Sequence, residues 1–300
     1  MIYTITFNPA LDYVMKIQEF NTGEINRSEK EYILPGGKGI NVSIILKELE
    51  IDSTALGFVA GFVGEEIEKR VKEYGIKTDF IKIEKETSRI NVKITSQLKE
   101  TAINGKGPVI NKASVQLLYK KIENIKNGDT LVLSGSIPKG VSTNIYQEIC
   151  KKIENKKVKI IVDSTGELLL KTLEYHPFLI KPNQEELEEI FNVKISNQEE
   201  ALKYAKELQQ KGAKNVLVSM GSKGAILLDE NGYFYKTKAL TKEKKKNTVG
   251  AGDSMVAGFI AGYQMFHNYE KALKIGTAAA AATANSTFLA TKEEIYKLLK

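Results

Sequence analysis

Short apolar runs rich in β-branched residues recur along the chain at 2–7, 55–59, 130–133, 158–162, 178–180, 216–219 and 225–228. Between several of them the apolar positions switch to a helical period. Amphipathic helices are therefore expected at 65–74, 114–125, 144–153, 185–191 and 198–210, and an apolar helix at 254–265. Alternation of strand and helix predicts an α/β fold with a mostly parallel central sheet flanked by helices. In such sheets ligands collect beyond the carboxyl ends of the strands. Asp12, Ser134, Asp163, Lys181 and Ser219 each follow a predicted strand, so all five are candidates for one crevice. Two segments break the alternation. Residues 12–33 and 89–104 read as extended and half-polar, with Ile90, Val92 and Ile94 alternating with polar neighbours, and predict a small β flap outside the main sheet. The Ala-rich run 278–284 reads as a tightly packed helix. Length alone allows one large α/β domain or two smaller ones, and no repeat or low-complexity linker marks a boundary.

Two glycine-rich turns, far apart in sequence, each open a helix. The first is Leu34-Pro35-Gly36-Gly37-Lys38-Gly39-Ile40-Asn41, followed by Val42, Ile45, Leu46 and Leu49 on one helical face. It has neither the Walker A spacing nor GxGxxG. The second is Asn247-Thr248-Val249-Gly250-Ala251-Gly252-Asp253. Backbone N–H groups at a helix start lack intrahelical partners and, with the helix dipole, favour a phosphate oxygen. Asp253 stands where such an anion cradle meets its helix, in position to take a proton from a hydroxyl beside a bound phosphate. A helix cap or a glycine turn is the plain alternative for either segment taken alone.

Composition removes several classes. The net charge is +7, but the lysines are interleaved with glutamates, as in Lys120-Lys121-Ile122-Glu123 and Lys151-Lys152-Ile153-Glu154. That is the pattern of solvated helix faces, so no nucleic-acid partner is expected. The run Lys242-Glu243-Lys244-Lys245-Lys246 just before the second turn reads as a solvated loop, or as a steering contact for nucleotide phosphates. A single cysteine, Cys150, precludes an intramolecular disulfide framework and fits a cytoplasmic protein. Its apolar helical context makes it a buried filler. No stretch is long and apolar enough for a membrane span. Two histidines and one cysteine offer no zinc cluster and no hydrolytic triad.

The GGKG-x-N and N-T-V-G-A-G-D-S segments resemble the two signatures of the ribokinase-like PfkB sugar kinases. Asn8-Pro9-Ala10-Leu11-Asp12, Ser134-Gly135-Ser136-Ile137-Pro138, Lys181-Pro182-Asn183-Gln184-Glu185-Glu186 and Ser219-Met220-Gly221-Ser222-Lys223-Gly224 follow in that family's order, so the resemblance covers essentially the whole chain. Within the family, the opening segment, Thr87-Ser88-Arg89-Ile90-Asn91-Val92-Lys93 and residues 100–108 are most similar to bacterial 1-phosphofructokinases, with tagatose-6-phosphate kinases next.

The resemblance implies a single ribokinase-like domain over residues 1–300, whose flap is a lid over the sugar, often paired with its twin in a homodimer. It implies ATP and Mg²⁺, a sugar-phosphate substrate, and ATP-dependent conversion of fructose 1-phosphate to fructose 1,6-bisphosphate. Asp253 would be the general base, with a carboxyl kept at low pKa by the helix dipole, and Gly250, Ala251 and Gly252 would form the anion hole. Asp12, Gly36, Gly37 and Asn41 would hold the sugar, and Lys38, Arg89, Arg27 and Ser136 its phosphate. Lys181, Asn183, Ser219, Gly221, Gly224, Thr248, Val249, Ala279 and Asn285 would line the nucleotide. Asn183 and Glu186 would reach Mg²⁺ through water. A sugar-phosphate-sensing binding protein is the non-enzyme alternative; an intact Asp253 and glycine loop count against it.

Overall fold

The computed structural model describes residues 1–96, 100–240 and 249–300. Strands β1 (Ile2–Thr6), β2 (Ala10–Lys16) and β3 (Lys30–Gly36) come first, then helix α1 (Lys38–Glu48), β4 (Thr54–Ala60) and α2 (Gly61–Glu73). Short strands β5 (Lys77–Thr78) and β6 (Ile81–Ile83) lead to β7 (Arg89–Thr95) and β8 (Glu100–Asn104). The middle of the chain alternates: α3 (Lys112–Glu123), β9 (Thr130–Ser134), α4 (Ile145–Lys152), β10 (Lys159–Asp163), α5 (Gly166–Leu170), β11 (Leu179–Ile180), α6 (Gln184–Phe191), α7 (Gln198–Gln210) and β12 (Asn215–Ser219). Then β13 (Ala225–Leu228) and β14 (Phe234–Thr237) form an antiparallel edge, and α8 (Ala251–Phe266), α9 (Tyr269–Asn285) and α10 (Lys292–Lys297) close the fold.

The main sheet runs β14-β13-β12-β11-β10-β9-β1-β4-β5, with β6 on the far half of β4; every pairing from β12 to β5 is parallel. Strand order reverses at β1, which lies between β9 and β4, so the crevice expected at a switch point opens there. Thr6, Ser134 and Asp163 sit in one row across β1, β9 and β10. The buried strands alternate their apolar residues between two cores. Leu131 and Leu133 pack with Phe7, Tyr146 and Ile149 on one face; Val132, Ile161 and Leu217 pack with Val42, Leu46, Val256 and Phe259 on the other.

On the second face α8 and α9 approach almost backbone to backbone. A Cβ on Gly258 would stand 2.8 Å from the Ile275 carbonyl oxygen, one on Gly262 2.8 Å from Ala272 Cα, and one on Gly276 2.8 Å from the Met255 carbonyl oxygen. The tightly packed helix expected from the Ala-rich run is α9, and these glycines supply its closest contacts.

The flap is a separate four-stranded sheet of order β3-β2-β7-β8, in which β2 pairs antiparallel with β3 and parallel with β7. The pair β2–β3 begins earlier and ends later than the expected 12–33, while β7 and β8 together span the expected 89–104. Within the segment predicted as extended, the residues between Lys16 and Lys30 are an exposed connection rather than strand. Strands β5, β6 and β14 and helix α10 were not anticipated; they are short, and their stability comes from pairing and caps rather than from an apolar run.

Candidate active site

The glycine turns meet across the crevice. Gly37 caps α1 at φ 125°, where a side chain would strike the Thr6 methyl at 2.5 Å. Gly250 caps α8 in the left-handed region at φ 81°. Their helices bring Asn41 and Asp253 together: the Asn41 Nδ2 amide donates to Asp253 Oδ2 at 2.7 Å. Asp253 lies in the first turn of α8 and is buried. Its low pKa, expected from the helix dipole, is corrected here. Burial, and next the negative charge of Asp163, push the carboxyl up to about 6 against the pull of Lys38, Asn41 and Lys181.

Asp163, at the carboxyl end of β10, is completely buried between two cations. Lys181 Nζ stands 3.1 Å from its Oδ1, off line for a hydrogen bond, and Lys38 Nζ donates to its Oδ2 at 3.4 Å. Burial raises the Asp163 pKa, but the two ammonium groups outweigh it and hold the carboxylate ionised below its usual range. The Lys38 ammonium is opposed by burial and stabilised more strongly by Asp163, Asp253 and Glu186, so it stays charged above its ordinary range. Lys181 is buried at the end of β11 and points at the anion loop; a Cβ on Gly252 would lie 3.4 Å from its Nζ. Two lysines, one carboxylate that neutralises one of them, and a helix start thus surround Asp253. With Asp253 ionised the two ammonium groups and the two carboxylates balance, so the partial positive charge of the helix start is what remains for an incoming phosphate. Asp163 appeared in the sequence only as a strand-end residue; a carboxylate ending an apolar strand was its one signal.

At the flap, Asp12 Oδ1 accepts from Asn91 Nδ2 at 2.8 Å and Oδ2 from Lys93 Nζ at 2.6 Å. Gly36 lies directly against it, since a Cβ there would be 2.8 Å from the carboxylate. Arg89 Nε donates to the Asn8 carbonyl at 3.1 Å, tying β7 to the connection between β1 and β2. Ser88 is turned inward, its Oγ accepting from Ala60 N. Asn8 Oδ1 and Ser134 Oγ are buried acceptors without partners among the described residues, at the mouth of the same crevice. Arg27 sits on the exposed connection between β2 and β3, and Ser136 is exposed just past β9. Among the described residues neither bonds to Asp253.

On the nucleotide side the structure gathers fewer of the expected residues. Asn183 and Ser219 bridge adjacent strand ends. Asn183 and Glu186 form a reciprocal cap: Asn183 Oδ1 accepts from Glu186 N at 2.7 Å and Glu186 Oε2 from Asn183 N at 2.8 Å. One Glu186 oxygen, and the second lone pair of Asn183 Oδ1, remain for a hydrated cation. Gly221 opens the short turn after β12, and Gly224 is demanded by the fold, since a Cβ would stand 2.0 Å from the Thr237 carbonyl oxygen. Asn285 Oδ1, at the end of α9, is buried without a partner among the described residues and suits an amine donor. Ala279, expected in the adenine wall, is corrected: it is wholly buried between α9 and α8, 3.0 Å from where a Gly258 Cβ would be. Val249 is partly exposed before the loop, and Thr248 lies outside the described residues, as does the lysine run at 242–246. Among the described residues no three His, Cys, Asp or Glu side chains cluster as a metal site.

A profile of pfkB family carbohydrate kinases matches residues 5–294. The chain belongs to the pfkB family of carbohydrate kinases. It is 41% identical over 299 residues to a 1-phosphofructokinase of Bacillus subtilis, covering 100% of this chain and 97% of that protein. It is also 41% identical over 287 residues to a D-tagatose-1-phosphate kinase of Bacillus licheniformis, covering 95% and 93%. A crystal structure of a putative phosphofructokinase from Staphylococcus aureus superposes with a TM-score of 0.88 at 40% identity, covering 99% of this chain and 96% of that one. This pfkB kinase therefore has the ribokinase-like α/β fold expected from its motifs. No helix among the described residues is long and apolar enough to cross a membrane.

Proposed function

We propose that this kinase transfers the terminal phosphoryl group of ATP to the 6-hydroxyl of fructose 1-phosphate, giving fructose 1,6-bisphosphate and ADP. The observation that carries the reading is the buried Asp253 carboxylate at the start of α8, bonded to Asn41 and flanked by Lys38 and Lys181. With its pKa near 6, Asp253 is ionised at neutral pH yet basic enough to receive the hydroxyl proton as the O–P bond forms. The Gly250-Ala251-Gly252 backbone would receive the transferring group while Lys38 and Lys181 offset its charge, so positioning and electrostatics carry most of the rate. Asp12, Gly36, Gly37 and Asn41 would hold the sugar hydroxyls, and Arg89 and Lys38, with Arg27 and Ser136 as outer candidates, the 1-phosphate. Ser219, Gly221, Gly224, Asn285 and the segment 248–249 remain the nucleotide candidates.

Mg²⁺ fits these residues only through water. Glu186 has one oxygen left after capping α6, and Mg²⁺ usually retains several waters. When bound it would neutralise charge on the ATP phosphates. Exposed Ile25, Ile33, Ile90 and Ile103 on the flap support a homodimer through the lid, and a lone buried Cys150 supports a cytoplasmic setting.

A second reading is favoured by the tagatose-1-phosphate relative, at the same 41% identity as the fructose enzyme. Tagatose 1-phosphate differs from fructose 1-phosphate only in the configuration at C4, so both readings share the phosphate at C1. An ADP-release assay with ATP and Mg²⁺ separates them. Fructose 1-phosphate, tagatose 1-phosphate, fructose 6-phosphate and tagatose 6-phosphate would be compared, with Asp253→Asn as control. The highest kcat/KM on fructose 1-phosphate, abolished in the variant, supports the first reading; preference for another acceptor replaces it.

A further inference from the structure

We propose that Asn91 and Lys93 of β7 are positioning residues for the sugar: together they fix the Asp12 carboxylate in the single orientation that meets the substrate hydroxyls. The inference rests on the sugar-binding role proposed above for Asp12.

Arg89, Asn91 and Lys93 stand at i, i+2 and i+4, so they share one face of β7. Arg89 bonds to the Asn8 carbonyl in the connection between β1 and β2, which places that face toward the crevice. In the flap Asp12 is the register partner of Asn91. Each Asp12 oxygen has its own donor, Asn91 Nδ2 on Oδ1 and Lys93 Nζ on Oδ2. The Asn91 amide is itself oriented, because its Oδ1 accepts from Gly105 N at 3.2 Å. The opposite side of the carboxylate is closed by Gly36, whose missing side chain gives it room.

The ion pair is also sheltered, with side-chain exposures of 15% for Lys93 and 13% for Asp12. A carboxylate accepting from two fixed donors has its remaining lone pairs in fixed directions, and those are what a pair of sugar hydroxyls must match. Lys93 thus acts through Asp12 rather than by touching the sugar.

The test is a double-mutant cycle with Lys93→Met, Asp12→Asn and both together, read as KM and kcat on whichever sugar phosphate the wild type turns over best. A mistaken choice of sugar therefore overturns only the reading above and leaves the cycle readable. Lys93→Met is expected to raise the sugar KM by about tenfold or more while kcat and the KM for ATP change little. Lys93→Arg should recover most of the loss. In the Asp12→Asn background Lys93→Met should add almost nothing. Fully additive losses would overturn the proposal by showing that Lys93 meets the substrate itself, and so would a Lys93→Met enzyme with an unchanged sugar KM. Should Lys93→Met fail to fold, Asn91→Leu carries the same cycle with the same two outcomes.

Discussion

The Asn41 amide and the Asp253 carboxylate, separated by most of the chain, meet at 2.7 Å and join the start of α1 to the start of α8. The sugar side of the site is thereby connected to the phosphoryl side through one donor–acceptor pair. Asp253→Asn keeps an acceptor for Asn41 but removes the base, so kcat should fall roughly 10²- to 10⁴-fold with little change in either KM.

The same substitution should change stability in the opposite sense. The folded-state pKa of Asp253 is raised to about 6, above an unfolded value near 3.9. Its ionised form therefore destabilises the fold at pH above the folded pKa, and the cost vanishes below the unfolded one. Asp253→Asn should be more stable than wild type at pH 8, by up to ~3 kcal/mol, and gain little at pH 4. Chemical denaturation at the two pH values measures this. A variant less stable at pH 8 would contradict it.

In a pH profile, kcat/KM should drop on the acid side with an apparent pKa near 6, as the base takes up its proton. Asp163→Asn removes the carboxylate that opposes ionisation of Asp253 and leaves Lys38 and Lys181 uncompensated. Both changes favour the ionised base, so the acid limb should move to lower pH, whatever happens to the maximal rate.

Gly36→Ala would place a methyl 2.8 Å from the Asp12 carboxylate. The sugar KM should rise on the order of 10- to 100-fold through displacement of Asp12, with the KM for ATP unchanged. Equal effects on both substrates would refute a local displacement.

Glu186→Gln should separate the two tasks of that side chain. Glutamine still completes the helix cap, so the melting temperature should hold while the Mg²⁺ concentration for half-maximal activity rises. Glu186→Ala should show the same Mg²⁺ effect and lose about 1 kcal/mol of stability as well.

Where the amino-acid pattern was decisive, one physical signal dominated. The strands around Leu131, Ile161 and Val216 are apolar on both sides because both faces are covered, and the two glycine turns stand out because few other residues fit there. Asn41, Asp253 and Lys38 stand out as candidates because they lie in those turns and match the family's motifs. The clamp on Asp12 could not, because Asn91 and Lys93 look like ordinary polar positions of an alternating strand until the register with β2 is known. The raised pKa of Asp253 was equally hidden: it depends on burial and on Asp163, 90 residues away in sequence, whereas the helix dipole visible in the sequence suggests the opposite. Ala279 shows the reverse error, a small residue assigned to a ligand wall when its size serves helix packing.

The glycines at 258, 262 and 276 leave no cushion of side chains between α8 and α9. At those three points there is no rotamer to exchange, so α8 is pinned closely against α9 with Asp253 at its start. The flap, a separate four-stranded sheet, is the part of the site that stands outside that seam.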